Sequence, residues 1–255
     1  MVGRAAAVLT SRRGAGSLAL LAVLVAYYAV APSLPEVTLW WEVAALGVLI
    51  IPAVFLLVWL ALPLWQARGL IAVGAAFGAL AVVCEVAELD ILADFSKLAA
   101  LTLVAFWFLS LFEALSWVTL VALIIPLVDA FSVFRGPTGH VLEEQPTIFE
   151  TIAFGFPVPG EATPARIGPP DILFFALFLA SAARFNLRVG WTWVGLVASF
   201  GLTLALAVWL ERGGLPALPL LSLGFLAPNA DLLWRDLRGV LTAARSRRRA
   251  QGRQQ

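Results

Sequence analysis

Long apolar blocks separated by short polar breaks dominate the pattern of this chain. The blocks predict membrane-spanning helices over roughly 17–33, 39–64, 69–87, 96–113, 116–134, 171–187, 190–210 and 215–234. A run of about 18 or more apolar residues is long enough to cross a hydrocarbon core as a helix. The last block is the least regular, because Asn229, Asp231 and Arg235 interrupt its end. One long polar segment, 135–170, separates the fifth and sixth blocks. It carries His140, Glu143, Glu144, Glu150 and Glu161, and the stretch TIFETIAFGF alternates like a strand. At the N-terminus, Arg12 and Arg13 precede an apolar stretch ending in Ala29-Val30-Ala31, the outline of a secretory signal. Pro32 follows at once and disfavours cleavage, so 17–33 is read as a retained span.

Composition supports the pattern. Apolar residues make up 62% of the chain and the mean hydropathy is +0.95, well beyond a soluble domain. The expected fold is therefore all-α: a polytopic bundle of eight, or nine, transmembrane helices forming a single domain over 1–255. Its parts are the N-terminal spans 17–134, the polar loop 135–170, the spans 171–234 and a basic tail 235–255. With one cysteine (Cys84) and one histidine (His140), the chain has no internal disulfide framework and no set of clustered ligands for zinc. HExxH is absent. No metal, cofactor or nucleic-acid partner is expected, and His140 is assigned no role.

Charge gives an orientation. With the N-terminus inside, 13 of the 17 Lys and Arg residues fall on the inner side, and only Lys97, Arg135, Arg166 and Arg212 fall outside. Cytoplasmic loops retain basic residues, so both termini are expected in the cytoplasm. The acidic group Glu85, Glu88, Asp90 and Asp94 then faces out. Trp40, Trp41, Trp65, Trp117, Trp191, Trp209 and Trp234 stand near span ends, where interfacial tryptophan concentrates. The tail arginines 245 and 247–249 suit either an anionic lipid surface or a simple topology anchor.

Ionisable groups within spans are functional candidates. Glu42, beside two tryptophans, and Glu113, at a short turn, read as solvated. Asp129 lies within LIIPLVDAFSVF, and Asp171 opens the next span in RIGPPDILFF. Asp129 is six residues before Arg135, hence about 9 Å along the helix from that end. Asp171 enters from the same side, so antiparallel packing puts both carboxyls at a similar shallow depth. Two carboxyls brought together in a low dielectric share a proton, and one can then act as base while the other acts as acid. The same pair also suits a proton or ion relay, or two unrelated carboxylates at helix ends. GGLPALPLLS opens the last span. Pro216 and Pro219 lack backbone donors, so carbonyls there must line a cavity or meet another chain. An extended substrate would supply those hydrogen bonds, although proline in a first helical turn is also common.

At these three places the sequence resembles the presenilin and signal peptide peptidase family of intramembrane aspartyl proteases. VDAFSVFRGPTGHVLEE is similar to the stretch around the family's first catalytic aspartate, which falls on Asp129, with Val128 where tyrosine is usual. GPPDILFFALFLAS is similar to the Gly-x-Gly-Asp stretch, placing the second catalytic aspartate at Asp171 and the first glycine at Gly168; Pro170 stands in place of the second glycine. Pro216, Ala217 and Leu218 match the Pro-Ala-Leu element, and Pro219 extends the match. The likeness covers roughly 116–230. It implies a nine-span fold against eight counted here, and a prokaryotic plasma-membrane protein cleaving single-span proteins or remnant signal peptides without a cofactor. Gly168, Pro169, Pro170, Leu215, Pro216, Ala217, Leu218 and Pro219 would then contact substrate, with 147–156 as a second strand-like edge. The orientation is that of the signal peptide peptidase branch, while the local sequence is more presenilin-like. Pro170 either holds the start of the Asp171 helix rigidly or misplaces its carboxyl and leaves a segment-binding protein that does not cut. Gly74-x-x-x-Gly78 and the small face of Ala180, Ser181 and Ala183 read as packing surfaces, and Phe175 and Phe178 as lining a substrate path or facing lipid.

Overall fold

The computed structural model describes residues 12–135, 149, 151–161, 163–211 and 215–251. They form α1 (Arg12–Val30), α2 (Leu39–Gln66), α3 (Leu70–Val86), α4 (Asp90–Leu109), α5 (Leu115–Arg135), a two-stranded antiparallel ribbon of β1 (Phe154–Phe156) and β2 (Ala165–Ile167), then α6 (Pro169–Arg184), α7 (Val189–Trp209) and α8 (Leu218–Gln251). The class is all-α. Five helices, the stretches Arg13–Ser33, Leu39–Gln66, Asp90–Leu109, Leu115–Val133 and Val189–Trp209, are long and apolar enough to cross a membrane. Each expected span has a helix at its place. Several boundaries move: the first helix begins at Arg12 rather than 17, and the fourth spans Asp90–Leu109 rather than 96–113, because the turn at Ala87-Glu88, with Glu88 left-handed, is short. The last begins at Leu218 and continues as one helix into the arginine-rich tail.

Prolines shape the helices. Pro32 turns the end of α1 into a 3-10 turn. Pro52 interrupts α2, and a π-helical turn at Leu46–Ile50 precedes it. A proline ring crowds the carbonyl four residues back and removes its donor; the wider turn accommodates both. Pro63 ends α2 in a 3-10 turn at Leu62–Gln66.

The core is centred on α6. Residues 175–182 are all buried, and Ile172 and Phe175 through Ala180 are fully enclosed. Phe175 stacks on Phe200 of α7 and packs against Phe55 of α2, and Phe178 stacks on Phe225 of α8. These two phenylalanines neither face lipid nor line a path, because α6 is surrounded by α2, α4, α7 and α8. Ala180 and Ser181 are buried as packing residues, with the Ser181 hydroxyl returned to its own Leu177 carbonyl at 2.7 Å.

Small residues let α7 approach its neighbours. Gly201 meets Gly47 of α2, where an added Cβ would lie 3.4 Å from the facing backbone. Gly195 and Gly224 bring α7 and α8 into backbone contact. Pro228 removes the donor that would serve the Gly224 carbonyl, and that carbonyl faces Gly195. Gly74 similarly seats α3 on α4 beside Val104, whereas Gly78 has open space around its Cα. Six of the seven tryptophans near span ends, Trp40, Trp41, Trp117, Trp191, Trp209 and Trp234, are strongly exposed there.

The candidate carboxyl pair and its supports

Pro126 stands three residues before Asp129 inside α5. It leaves the Ala122 carbonyl without its usual donor and loosens the turn that carries the carboxyl. Asp129 Oδ2 accepts a hydrogen bond from the Leu218 backbone N–H at 3.1 Å. Leu218 is the first residue of α8, and the N–H groups of a first turn have no intrahelical acceptor. The carboxyl on α5 therefore caps the helix that begins in the Pro-Ala-Leu stretch, a position the helix dipole favours for an acid. Leu215, Pro216 and Ala217 approach this point outside any helix, with Ala217 and Leu218 buried and Leu215, Pro216 and Pro219 partly open. The expected donor shortage at this entry is partly met within the chain: Ser199 Oγ of α7 donates to the Leu220 carbonyl at 2.7 Å, and Leu221 N–H to Ala217 O at 3.0 Å.

Asp171 is the third residue of α6, after Pro169 and Pro170, and Gly168 is the N-cap. Gly168 has extended backbone (φ −68°, ψ 151°) and its carbonyl accepts the Asp171 N–H at 3.1 Å. No left-handed φ is needed here. Nor is extra room required: a Cβ at 168 would lie 3.4 Å from Asp171 Oδ2 and 3.9 Å from the Phe149 ring, ordinary contact distances. Both prolines occupy first-turn positions where a missing N–H leaves no bond unmade, so Pro170 is compatible with the helix that carries Asp171. The two carboxyls lie within electrostatic reach of each other. Asp129 and Asp171 are both half-buried. Three separated stretches of sequence thus meet: Asp129 from α5, Gly168 to Asp171 at the head of α6, and Leu218 at the head of α8.

Other expectations are corrected. Glu42 is buried, not solvated, because the loop after β1 folds over the α1–α2 connection. Gly160, with φ +79°, donates its N–H to Ala31 O at 3.0 Å and lies directly on the Glu36 backbone, and Glu161 comes within electrostatic reach of Glu42. Glu113 does lie exposed at a turn. The strand expected over 147–156 is only β1, residues 154–156; residues 151–152 are helical, and 147, 148 and 150 lie outside the described residues. Nor does β1 alternate: Phe154, Gly155 and Phe156 are all buried, with Phe154 packed against Tyr28 of α1, Phe95 of α4 and Phe156. His140, Glu143, Glu144 and Glu150 also lie outside the described residues.

Sequence reasoning missed the polar groups that hold this region. Lys97 Nζ bonds Glu85 at 2.9 Å, Asp94 at 3.3 Å and the Ala153 carbonyl at 3.2 Å. The Asp94–Lys97 spacing inside an apolar helix was the available signal, since a charge there needs a partner. At the opposite end of α7, Asn229 accepts the Arg188 N–H at 3.0 Å and donates to Thr192 and to the Phe225 carbonyl, both at 2.8 Å. Arg188 completes this clasp with a two-pronged bond to Asp231 at 2.7 and 2.9 Å. Ser222, one turn along α8 from Leu218, buries a hydroxyl with no hydrogen-bond partner.

No family model, curated protein or solved structure matches the chain. The family likeness therefore rests on the motifs themselves.

Proposed function

We propose that this chain is an intramembrane aspartyl endopeptidase, with Asp129 and Asp171 as its catalytic pair and all eight helices crossing the membrane, both termini on the cytoplasmic side. The observation that carries the reading is the hydrogen bond from Leu218 N–H to Asp129 Oδ2 at 3.1 Å. It joins the first motif to the third, while Asp171 of the second lies within electrostatic reach of the same carboxyl.

In the proposed reaction the pair holds one proton. The ionised carboxylate takes a proton from water as the water oxygen bonds to the scissile carbonyl carbon. The protonated carboxyl gives its proton to the carbonyl oxygen, forming a gem-diol. Collapse of the diol breaks the C–N bond: one diol hydroxyl returns its proton to the ionised carboxylate as the protonated carboxyl gives its proton to the leaving nitrogen, and one shared proton remains. The products are a carboxylic acid and an amine; no metal or redox partner enters the balance. The substrate is a single-span protein or remnant signal peptide whose helix unwinds at the site. Its strand lies against Leu215–Ala217 and the half-exposed β2, which leads into Gly168 and Asp171, rather than against β1, whose residues are all buried.

The test uses the purified chain in nanodiscs with a labelled transmembrane peptide. Wild type is expected to cut it, and Asp129→Ala and Asp171→Ala are each expected to reduce cutting to the background of an empty nanodisc. Cutting that survives either substitution refutes the pair. Proton flux in liposomes that depends on Asp171, with no peptide cut, would return the same pair to a relay.

A further inference from the structure

We propose that Lys97, Asp94 and Tyr28 are positioning residues for Asp171, acting through the β1–β2 ribbon; this rests on the proteolytic reading above. The ribbon lies between α5 and α6, and its second strand ends at Ile167, one residue before Gly168. β1 is fixed by side chains rather than by a third strand. Gly155 N–H donates to Asp94 Oδ2 at 3.3 Å, and the Gly155 carbonyl accepts the Tyr28 hydroxyl at 3.0 Å. Tyr27 does the same for the Pro157 carbonyl at 3.0 Å, and Lys97 for Ala153 at 3.2 Å. Both backbone polar groups of the central β1 residue are thereby tied, one to α4 and one to α1.

The ladder passes this constraint on. Phe154 pairs with Ile167, Gly155 with Arg166 and Phe156 with Ala165. Gly168 follows Ile167 directly, and its carbonyl accepts the Asp171 N–H at 3.1 Å. A shift of Gly155 therefore reaches the residue that holds the Asp171 backbone at the head of α6. The anchor is stiff because Lys97 is shared by two carboxylates with its side chain only 12% exposed, and Tyr28 is wedged between Phe95 and Phe154. A glycine at 155 fits the same purpose, since a Cβ would lie 3.0 Å from Asp94 Oδ2.

Tyr28→Phe, which deletes one hydroxyl, and Lys97→Met are compared with wild type as full-length protein in nanodiscs. Three readouts are taken: kcat and KM for the labelled peptide, hydrogen exchange over 151–170, and the rate at which a hydrophobic carbodiimide labels Asp171 relative to Asp129, by mass spectrometry. The expected result is faster exchange in the ribbon and a several-fold change in the Asp171-to-Asp129 labelling ratio. With it comes a fall in kcat of about tenfold or more at nearly constant KM, since misplacing a reacting group by ~1 Å has effects of that order. If wild type cuts no peptide, the proteolytic reading fails, and the labelling ratio alone decides whether the ribbon positions Asp171. If Lys97→Met does not fold, Tyr28→Phe carries the test. An unchanged labelling ratio and unchanged kcat in the folded variants overturn the proposal, even where their melting temperatures fall.

Discussion

Pro170 occupies the second position of α6, where a backbone N–H would have no intrahelical acceptor. The motif that the sequence resembles has glycine there, and by likeness alone Pro170→Gly would be a repair. The local backbone argues otherwise. Gly168 is extended, Pro169 and Pro170 initiate the helix, and Asp171 reaches the first turn with its N–H already bonded. Replacing Pro170 by glycine enlarges the unfolded ensemble and is expected to cost about 0.4–1 kcal/mol, seen as a lower melting temperature, with no gain in peptide cleavage. A large gain would mean that the proline misplaces the carboxyl. Asp129 and Asp171 were legible because a carboxyl in an apolar run needs a reason. The Leu218 N–H that meets Asp129 was not, since a backbone donor leaves no mark in sequence.

At the scale of helices, α7 is the element most dependent on small residues. It touches α2 through Gly201 and α8 through Gly195, and the single Ser199 hydroxyl proton is shared between the Gly195 and Leu220 carbonyls, at 2.8 and 2.7 Å. Gly224→Ala would drive a methyl into the Gly195 carbonyl and the Ser199 hydroxyl. Such overpacking costs roughly 1–3 kcal/mol, so the thermal midpoint in detergent should fall clearly. Gly78→Ala meets nothing within 4 Å and should stay within about 0.5 kcal/mol of wild type. In the clasp at the other end of α7, Asn229→Ala removes three hydrogen bonds at a fully buried site and leaves the Arg188 N–H and Thr192 hydroxyl without those partners. A loss of about 1–3 kcal/mol is expected, measurable by the same melt. These two sites show what the sequence could and could not disclose. Apolar block length placed a helix at each of the eight blocks, and five of those helices are long and apolar enough to cross a membrane. It could not rank Gly74 against Gly78 or mark Asn229 as a structural clasp, because both depend on which helix faces which. The alternation over 147–156 did mark β1, although all three of its residues are buried; β2 left no such mark, because three residues are too few to show a period.

For the whole molecule the decisive asymmetry is around α5. This helix packs along α8 and touches α6 only lightly, whereas α6 is enclosed on all sides. Next to Asp129, Leu127, Val128 and Phe131 stand 72%, 53% and 65% exposed, a continuous apolar surface of the kind that meets lipid or a partner helix. A peptide helix arriving from the bilayer would therefore reach the carboxyl pair along α5, between it and the α4–α6 side, rather than through the α7–α8 seam closed by glycine contacts. Photo-crosslinking separates these routes. A benzophenone side chain replacing Phe131 should capture the labelled transmembrane peptide. The same group replacing Val82, equally exposed at 65% but on α3, should capture lipid and little peptide. One replacing Trp209 on α7, exposed at 69%, should behave as Val82 does. Capture strongest at Trp209 would put the entry on the other face and remove α5 from the path. The orientation inferred from 13 inner and 4 outer basic residues adds a direction to this route. Asp129 lies about 9 Å along the helix from the Arg135 end of α5; with that end outside, as proposed, a peptide unwound at the site would be cut near its outer end, and peptides labelled at either terminus should yield one short and one long fragment in that order.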